Sequence, residues 1–128
     1  KPNLKEVKEG LKMEIPSVSV QNLTSVDTAL RNHLQHQISF ITLSEHGVYY
    51  GGAQGHKLIP THIRNIADVS GAGDTVIAVA SLTYASTQNM ELAAELANIA
   101  GGLVCELVGT APISKDSLME EVKQLLVK

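Results

Sequence analysis

Apolar residues recur at three- and four-residue spacing in the first third of the chain, a pattern typical of amphipathic helices. Val7 and Leu11 are four apart and predict a short helix over residues 3–11. A second helix is predicted to begin at Thr24, with Asp27 three residues later in a capping-box arrangement. Its core-facing stripe is predicted to comprise Leu23, Val26, Leu30 and Leu34.

The middle of the chain has short apolar runs bounded by turn residues, which indicate strands. Residues 38–43 predict a buried strand, and residues 44–47 a turn. Residues 48–50 and 57–59 predict two short strands, and residues 62–68 another strand or extended segment. Glycines at positions 51, 52 and 55 are expected to separate the two short strands.

Three further helices are predicted after position 71. Residues 75–85 are apolar on nearly every side, so this helix is expected to be buried. The last helix is amphipathic and runs over residues 114–126. Strands alternating with helices favour an α/β layer structure. The helix between these two is predicted to have a face of Leu92, Leu96, Ile99 and Leu103, with Ala93, Ala97 and Ala100 allowing close approach.

Composition and charge narrow the classes of partner. The chain is 44% hydrophobic, which favours a globular domain over disorder. Its net charge of -3 gives no electrostatic case for binding nucleic acid or an anionic membrane. No apolar run has the length of a membrane helix, and the single cysteine, Cys105, fits a reducing compartment. We therefore expect a cytoplasmic protein that binds neither nucleic acid nor membrane.

The sequence most informative about chemistry is Asp-Val-Ser-Gly-Ala-Gly-Asp-Thr at residues 68–75, directly before an apolar helix. The first N–H groups of a helix have no partner within it, and the helix dipole there favours an anion. Gly71 and Gly73 allow a phosphate to approach the backbone closely because they have no Cβ. Asp74 would repel a phosphate, but it suits a base that accepts a proton from an attacking hydroxyl.

An ordinary glycine turn, with Asp74 as the cap of the helix, is the alternative interpretation of these residues. Two better-known phosphate loops are excluded. A dinucleotide-binding fingerprint requires a third glycine at position 76, which is Val. A P-loop requires Gly-Lys-Ser/Thr, which the chain does not contain.

Residues 68–74 are similar to the DTxGAGD motif of the ribokinase-type, or PfkB, carbohydrate kinases. Ser70 stands where many members have Thr, and Val76 near a point where many have Phe. Neither difference affects the chemistry that the motif implies.

Three other segments resemble family motifs in the family's order. Residues 3–6 resemble the NxxE motif, and residues 42–47 resemble the TxGxxG element, with Ser44 in place of its first glycine. Residues 97–101 followed by 109–110 resemble the helix and loop that flank the adenine. The resemblance extends over the whole chain.

The resemblance implies part of a ribokinase-like three-layer α/β/α, or Rossmann-like, domain and ATP-dependent phosphoryl transfer to a sugar hydroxyl. In this interpretation Asp74 is the base, and the Gly71, Ala72 and Gly73 loop stabilises the developing charge through the N–H groups of residues 72–74. The remaining site residues are Asn3 and Glu6, which hold Mg²⁺ through water; Thr42, Ser44 and Gly47, which line the phosphate track; and Asn98, Gly109 and Thr110, which face the adenine.

The resemblance also implies that residues 1–128 form the C-terminal, nucleotide-binding and catalytic part of a kinase domain, without the N-terminal sugar-binding part. We therefore expect this chain alone to bind nucleotide weakly and to have little or no kinase activity. Two alternatives stay open: a non-catalytic nucleotide-binding or regulatory module, and a structural fragment with a vestigial site.

The substrate and the other ligands are also implied by resemblance. The Ser-Glu-x-Gly turn, the run Asp-Val-Ser-Gly-Ala-Gly-Asp-Thr-Val-Ile-Ala and the later Gly-Thr-Ala resemble the heptose-phosphate kinases of the family. They imply a sugar phosphate such as heptose 7-phosphate as the substrate, with ATP and Mg²⁺. The family also allows a monovalent cation and a homodimer.

Overall fold

The computed structural model describes residues 1–62, 69, 71–107 and 112–126. The chain divides into two compact units, Lys1–Pro60 and Thr61–Lys128. In the described part of the chain, no helix has both the length and the apolar run needed to cross a membrane. The elements in chain order are α1 (Leu4–Leu11), α2 (Val20–Leu34), β1 (Ser39–Thr42), a 3₁₀ turn (Ser44–His46), β2 (Val48–Gly52), β3 (Gly55–Ile59), α3 (Ala72–Thr87), α4 (Met90–Cys105) and α5 (Lys115–Leu125).

The first unit contains a three-stranded antiparallel sheet in the order β1-β2-β3. The predicted strands at 38–43, 48–50 and 57–59 are confirmed. The predicted separation by glycines is wrong, because Gly51 and Gly52 belong to β2 and Gly55 begins β3. Glycine is required at position 51, since a Cβ there would overlap the carboxylate of Asp27. Of the segment predicted at 62–68, residues 63–68 lie outside the described residues.

The start of α2 differs from the prediction. Its N-cap is Ser19, whose hydroxyl accepts a hydrogen bond from the Asn22 N–H at 3.2 Å. The predicted cap at Thr24 is wrong, because Thr24 lies inside the helix and donates its hydroxyl to the Val20 carbonyl at 2.7 Å. Asp27 is not a capping partner either, since its side chain is completely buried.

The buried carboxylate of Asp27 is fully paired. Arg31 donates to both carboxylate oxygens, at 3.0 and 2.9 Å, and the Tyr49 hydroxyl donates to one of them at 3.2 Å. These bonds offset the cost of removing a charge from water. The cluster joins α2 to β2 within a core formed by Val7, Ile15, Leu23, Val26, Leu30, Ile41, Leu43 and Tyr49.

The predicted stripe of α2 is confirmed at Leu23, Val26 and Leu30, which are buried. It is wrong at Leu34, which is 65% exposed. Leu34 is the last residue of the helix, and Gln35 ends it in a left-handed conformation.

The second unit is helical in its described part, and α3 packs on α4. The prediction that α3 is buried on nearly every side is wrong, because its buried residues are Val76, Ala80 and Thr83. The predicted leucine face of α4 is wrong in part. Ile99 is buried, but the three leucines of the predicted face are only half-buried. The predicted small residues Ala93, Ala97 and Ala100 are confirmed as buried, and Ala94 is buried with them. The predicted last helix is confirmed as α5, which Ser114 caps by accepting from the Ser117 N–H at 3.0 Å.

Candidate functional site

The loop predicted to bind phosphate leads directly into α3. Gly71 is the N-cap of this helix and has a left-handed conformation with φ of 78°. This conformation is costly for any residue with a Cβ, which explains the requirement for glycine. The cap provides no side-chain hydrogen bond to the helix. The helix therefore begins with backbone donors that are not satisfied by a capping side chain.

The backbone donors at this helix start are not equivalent. The Ala72 N–H donates to the Val69 carbonyl at 3.3 Å, and the Thr75 N–H donates to the Gly71 carbonyl at 3.1 Å. No hydrogen bond among the described residues uses the N–H of Gly73 or Asp74. All three N–H groups that are predicted to face an anion, those of Ala72, Gly73 and Asp74, therefore stay candidates.

Asp74 does not cap α3. It lies in the first turn, three positions after the Gly71 N-cap, and its side chain is exposed. A carboxylate in the first turn still interacts favourably with the helix dipole, by about 0.3–1 kcal/mol. The alternative interpretation of Asp74 as a helix cap is thus wrong, and its carboxylate is accessible for chemistry.

Asn3 and Glu6, the predicted magnesium residues, form a reciprocal capping box at the start of α1. The Asn3 side-chain oxygen accepts from the Glu6 N–H, and the Glu6 carboxylate accepts from the Asn3 N–H, both at 2.8 Å. Both residues are exposed, and the second carboxylate oxygen of Glu6 takes no part in the box. These residues fit an ion held through water better than one bound directly, because part of their oxygen set is already used.

The structure brings Asn3 and Thr42 together, which no local sequence signal predicts. The two residues form a parallel bridge, and the Thr42 N–H donates to the Pro2 carbonyl at 3.1 Å. The predicted magnesium and phosphate segments of the first unit are therefore neighbours. Asp74 belongs to the other unit.

The turn after β1 requires left-handed backbone at two positions. Ser44 has φ of 52° and Gly47 has φ of 95°. A Cβ at position 47 would overlap the carbonyl of Ile59, so glycine is required there. At position 44 this chain uses a strained serine where the TxGxxG pattern has glycine, and the turn nevertheless forms.

The residues predicted to face the adenine are only partly described. Asn98 lies on α4 and is 8% exposed, so little of its side chain is available to a ligand. Gly109 and Thr110 lie outside the described residues. Within the described ranges, no group of three or more His, Cys, Asp or Glu residues is placed to hold a metal ion directly.

Comparison with known proteins identifies the family. The model of the pfkB family of carbohydrate kinases matches residues 1–117. The chain belongs to this family. It is 36% identical over 122 residues to the bifunctional protein HldE of Methylobacillus flagellatus, and 37% identical over 117 residues to that of Campylobacter jejuni. These matches cover 95% and 91% of this chain, but 25% of each relative.

Solved structures of the family share the fold. Phosphofructokinase-2 from Escherichia coli superposes with a TM-score of 0.84 at 18% identity, over 97% of this chain and 40% of that protein. Ribokinase from Thermotoga maritima superposes with a TM-score of 0.77 at 19% identity, over 95% of this chain and 41% of that protein. The pfkB-family chain therefore has a ribokinase-like α/β fold, present in part, as predicted.

Proposed function

We propose that this chain supplies the nucleotide-binding and catalytic part of an ATP-dependent phosphotransferase that acts on a sugar hydroxyl. The start of α3 is the observation that carries the proposal. It combines a glycine cap that provides no side-chain hydrogen bond to the helix with an exposed carboxylate in the first turn. Membership of the pfkB family supports the reaction class.

In this proposal, Asp74 accepts the proton of the attacking sugar hydroxyl. The N–H groups of Ala72, Gly73 and Asp74 donate to the oxygens of the transferring phosphoryl group. Because these donors are fixed by the helix, they do not reorganise as negative charge develops. Gly71 gives the loop the conformation that brings these N–H groups to the substrate.

The phosphates of ATP and Mg²⁺ are assigned to the first unit. The phosphates would lie along Thr42, Ser44 and Gly47. Mg²⁺ would be held through water by Asn3 and Glu6. The ion, when bound, neutralises phosphate charge during transfer. Asn98, Gly109 and Thr110 are assigned to the adenine side. A monovalent cation is a further candidate, since phosphofructokinase-2 from Escherichia coli has been solved in complex with potassium.

We propose a heptose phosphate such as heptose 7-phosphate as the sugar substrate. Relatives named HldE match this chain at 36–37% identity, twice the identity shown by phosphofructokinase-2. The chain spans a quarter of their length, so their complete activity is proposed only for a protein that includes the remaining parts. A cytoplasmic location suits the single cysteine, Cys105.

A second candidate function is nucleotide binding or regulation without catalysis. Partial coverage favours this candidate, because the stretch that matches this chain is 40% of phosphofructokinase-2. The two candidates differ in whether Asp74 contributes to turnover. Under either, the chain alone is expected to bind nucleotide weakly and to show little or no turnover.

The experiment uses a chimera, defined as the Methylobacillus flagellatus relative with its matched stretch replaced by this chain. With ATP and heptose 7-phosphate, Asp74→Asn is expected to lower kcat by about 10²–10⁴-fold, because a positioned base is lost. The nucleotide Kd should stay equal or become tighter, since a negative charge beside the phosphates is removed. The melting temperature should be nearly unchanged because residue 74 is exposed.

Asp116→Asn is the matched control, because Asp116 is an exposed carboxylate in the first turn of α5. Both variants lose a similar dipole interaction, but the control should keep its turnover. Near-normal turnover in a folded Asp74→Asn chimera would contradict the role of Asp74 as the base. It would favour the non-catalytic candidate.

A further inference from the structure

Asn3 belongs to a strand pairing and to a helix at the same time. It has extended backbone, with ψ of 172°, and it is the N-cap of α1. It also forms the parallel bridge to Thr42, which is the last residue of β1. The pairing and the helix therefore meet at one residue, and whatever fixes the backbone of Asn3 also fixes how α1 joins β1.

Glu6 and Val7 fix that backbone from inside α1. The Glu6 carboxylate accepts from the Asn3 N–H at 2.8 Å, and the Val7 N–H donates to the Asn3 carbonyl at 3.1 Å. Val7 is buried in the core of the first unit, so α1 is anchored one turn after its cap. Both backbone polar groups of Asn3 are thus held by residues of the helix that it caps.

The other side of the bridge is the base of the 42–47 turn. The Thr42 N–H donates to the Pro2 carbonyl at 3.1 Å, and the next residue, Leu43, donates its N–H to the Gly47 carbonyl at 2.9 Å. Between them, Ser44 has left-handed backbone. A strained residue persists only where its surroundings hold it. A displacement of Thr42 would therefore disturb the turn.

We propose that Glu6 is a positioning residue for the nucleotide site, which holds Asn3 in register with Thr42 and so keeps the 42–47 turn in its binding conformation. The Oε2 atom of Glu6 performs this task by accepting the Asn3 N–H. The contact with an ion through water falls to the other carboxylate oxygen. The positioning role rests on the hydrogen bonds, whereas its effect on nucleotide binding rests on the proposed function.

A helix cap that serves α1 alone would have a narrower effect. Its loss would loosen the first turn of α1 and leave the neighbouring strand unchanged. A positioning residue acts through the bridge, so its loss must also reach Thr42. The task requires a hydrogen-bond acceptor rather than a charge, and the side-chain oxygen of Gln can accept the same bond. Glu6→Gln should therefore preserve the positioning that Glu6→Ala removes.

Residue-resolved amide hydrogen exchange, measured by NMR, tests the positioning without a ligand. Glu6→Ala should speed the exchange of the Asn3 and Thr42 N–H groups by about fivefold or more, because losing a cap makes local opening easier. Glu6→Gln should keep both rates within about twofold of the unaltered chain. Ser19→Ala is the matched control, because it removes the cap of α2 in the same unit, and it should leave both rates unchanged.

An exchange rate at Thr42 that does not respond to Glu6→Ala would overturn the proposal, since Glu6 would then serve α1 alone. An equal response to Glu6→Gln would also overturn it, by showing that the charge matters rather than the hydrogen bond. If Glu6→Ala does not fold, Glu6→Asp takes its place, because it keeps the charge but shortens the side chain by one methylene group. Faster exchange at Thr42 in Glu6→Asp supports the positioning role, and an unchanged rate rejects it.

Metal-free ADP, in the presence of EDTA, tests the consequence for nucleotide binding. The Kd from an NMR titration should rise by about fivefold in Glu6→Ala and stay within about twofold in Glu6→Gln and Ser19→Ala. A residue that acts only through Mg²⁺ would leave this Kd unchanged in all three variants, and that result would reject the effect on the nucleotide.

The two measurements separate the positioning role from the proposed function. If the unaltered chain does not bind ADP while exchange at Thr42 depends on the Glu6 bond, the nucleotide site fails and the positioning role stands. If all variants bind ADP equally and Glu6→Ala leaves exchange at Thr42 unchanged, the positioning role fails and the nucleotide site stands.

Discussion

Val76 on α3 and Gly101 on α4 are packed so closely that a Cβ at position 101 would lie 2.6 Å from Cγ2 of Val76. The β-branched valine has few alternative rotamers within a helix, so it cannot easily move away. The absence of a side chain at Gly101 therefore allows the two helices to pack closely at this point. Val76 lies two residues after Asp74, so this contact also fixes the helix turn that carries the proposed base.

Gly101→Ala is expected to reduce the free energy of unfolding, because overpacking costs about 1–3 kcal/mol and exceeds the helix-propensity gain of about 1 kcal/mol. In a Val76→Ala background the clash is removed, so the same substitution should become neutral or stabilising. Urea denaturation of the four proteins in this double-mutant cycle measures the difference. Equal effects of Gly101→Ala in both backgrounds would show that the contact does not limit the packing.

Ser44→Gly is expected to stabilise the first unit, by about 1–2 kcal/mol, because serine at φ of 52° is strained and glycine is not. Ser44→Ala is the control, since it removes the hydroxyl but keeps the strained backbone. It should be equal to or less stable than the unaltered chain. Thermal and urea unfolding distinguish the two variants, and a destabilised Ser44→Gly would indicate that the serine side chain contributes more than the backbone strain costs.

Tyr49 gives the stability of the chain a dependence on alkaline pH. Burial raises the pKa of its hydroxyl above the ordinary value of 10.0, and the nearby Asp27 carboxylate adds to the shift. Because the folded pKa is raised, the associated stability is fully present below pH 10.0 and is lost as the pH rises through the folded pKa. The free energy of unfolding should therefore be lower at pH about 10.5 than at pH about 8.

Tyr49→Phe tests the assignment. Near neutral pH it should lower the free energy of unfolding by about 1.5–3 kcal/mol, because a hydrogen bond to the buried Asp27 carboxylate is lost. Above pH 10.0 the gap between the variant and the unaltered chain should narrow, since Phe cannot ionise on unfolding. A constant gap across this range would show that Tyr49 does not titrate as proposed.

Gly71→Ala is expected to abolish the stabilisation that MgATP gives to this chain. A nucleotide that binds only the folded state should raise the melting temperature of the unaltered chain by about one or two degrees at millimolar concentration. Ala at φ of 78° is strained and would add a Cβ beside the proposed phosphate site. Gly55→Ala is the matched control, because φ is 109° there and a Cβ would meet nothing within 4 Å. Equal MgATP shifts in both variants would remove Gly71 from the nucleotide site.

Local signals were sufficient to predict much of the chain. The strands at 38–43, 48–50 and 57–59, the helix at residues 3–11 and the final helix all follow from patterns within a few residues of each other, and each is confirmed. The glycine requirement at the start of α3 could also be read from the sequence. Its left-handed cap is a property of the backbone at a single residue. The family motifs rest on the same short-range information, which is why one sequence was enough to predict the family.

The errors concern choices that local sequence leaves open. Ser19 and Thr24 are both competent helix caps, and the burial of Asp27 against Arg31 and Tyr49 places Thr24 inside α2. On α4 both the leucines and the alanines have helical spacing; the predicted alanines are buried, whereas the leucines of the predicted face are only half-buried. Side chains far apart in sequence decide these outcomes, because burial depends on which surfaces meet. The same reason explains the exposed residues of α3, such as Ile77 and Leu82. The apolar pattern predicts a buried helix, but only packing determines which of its sides is covered.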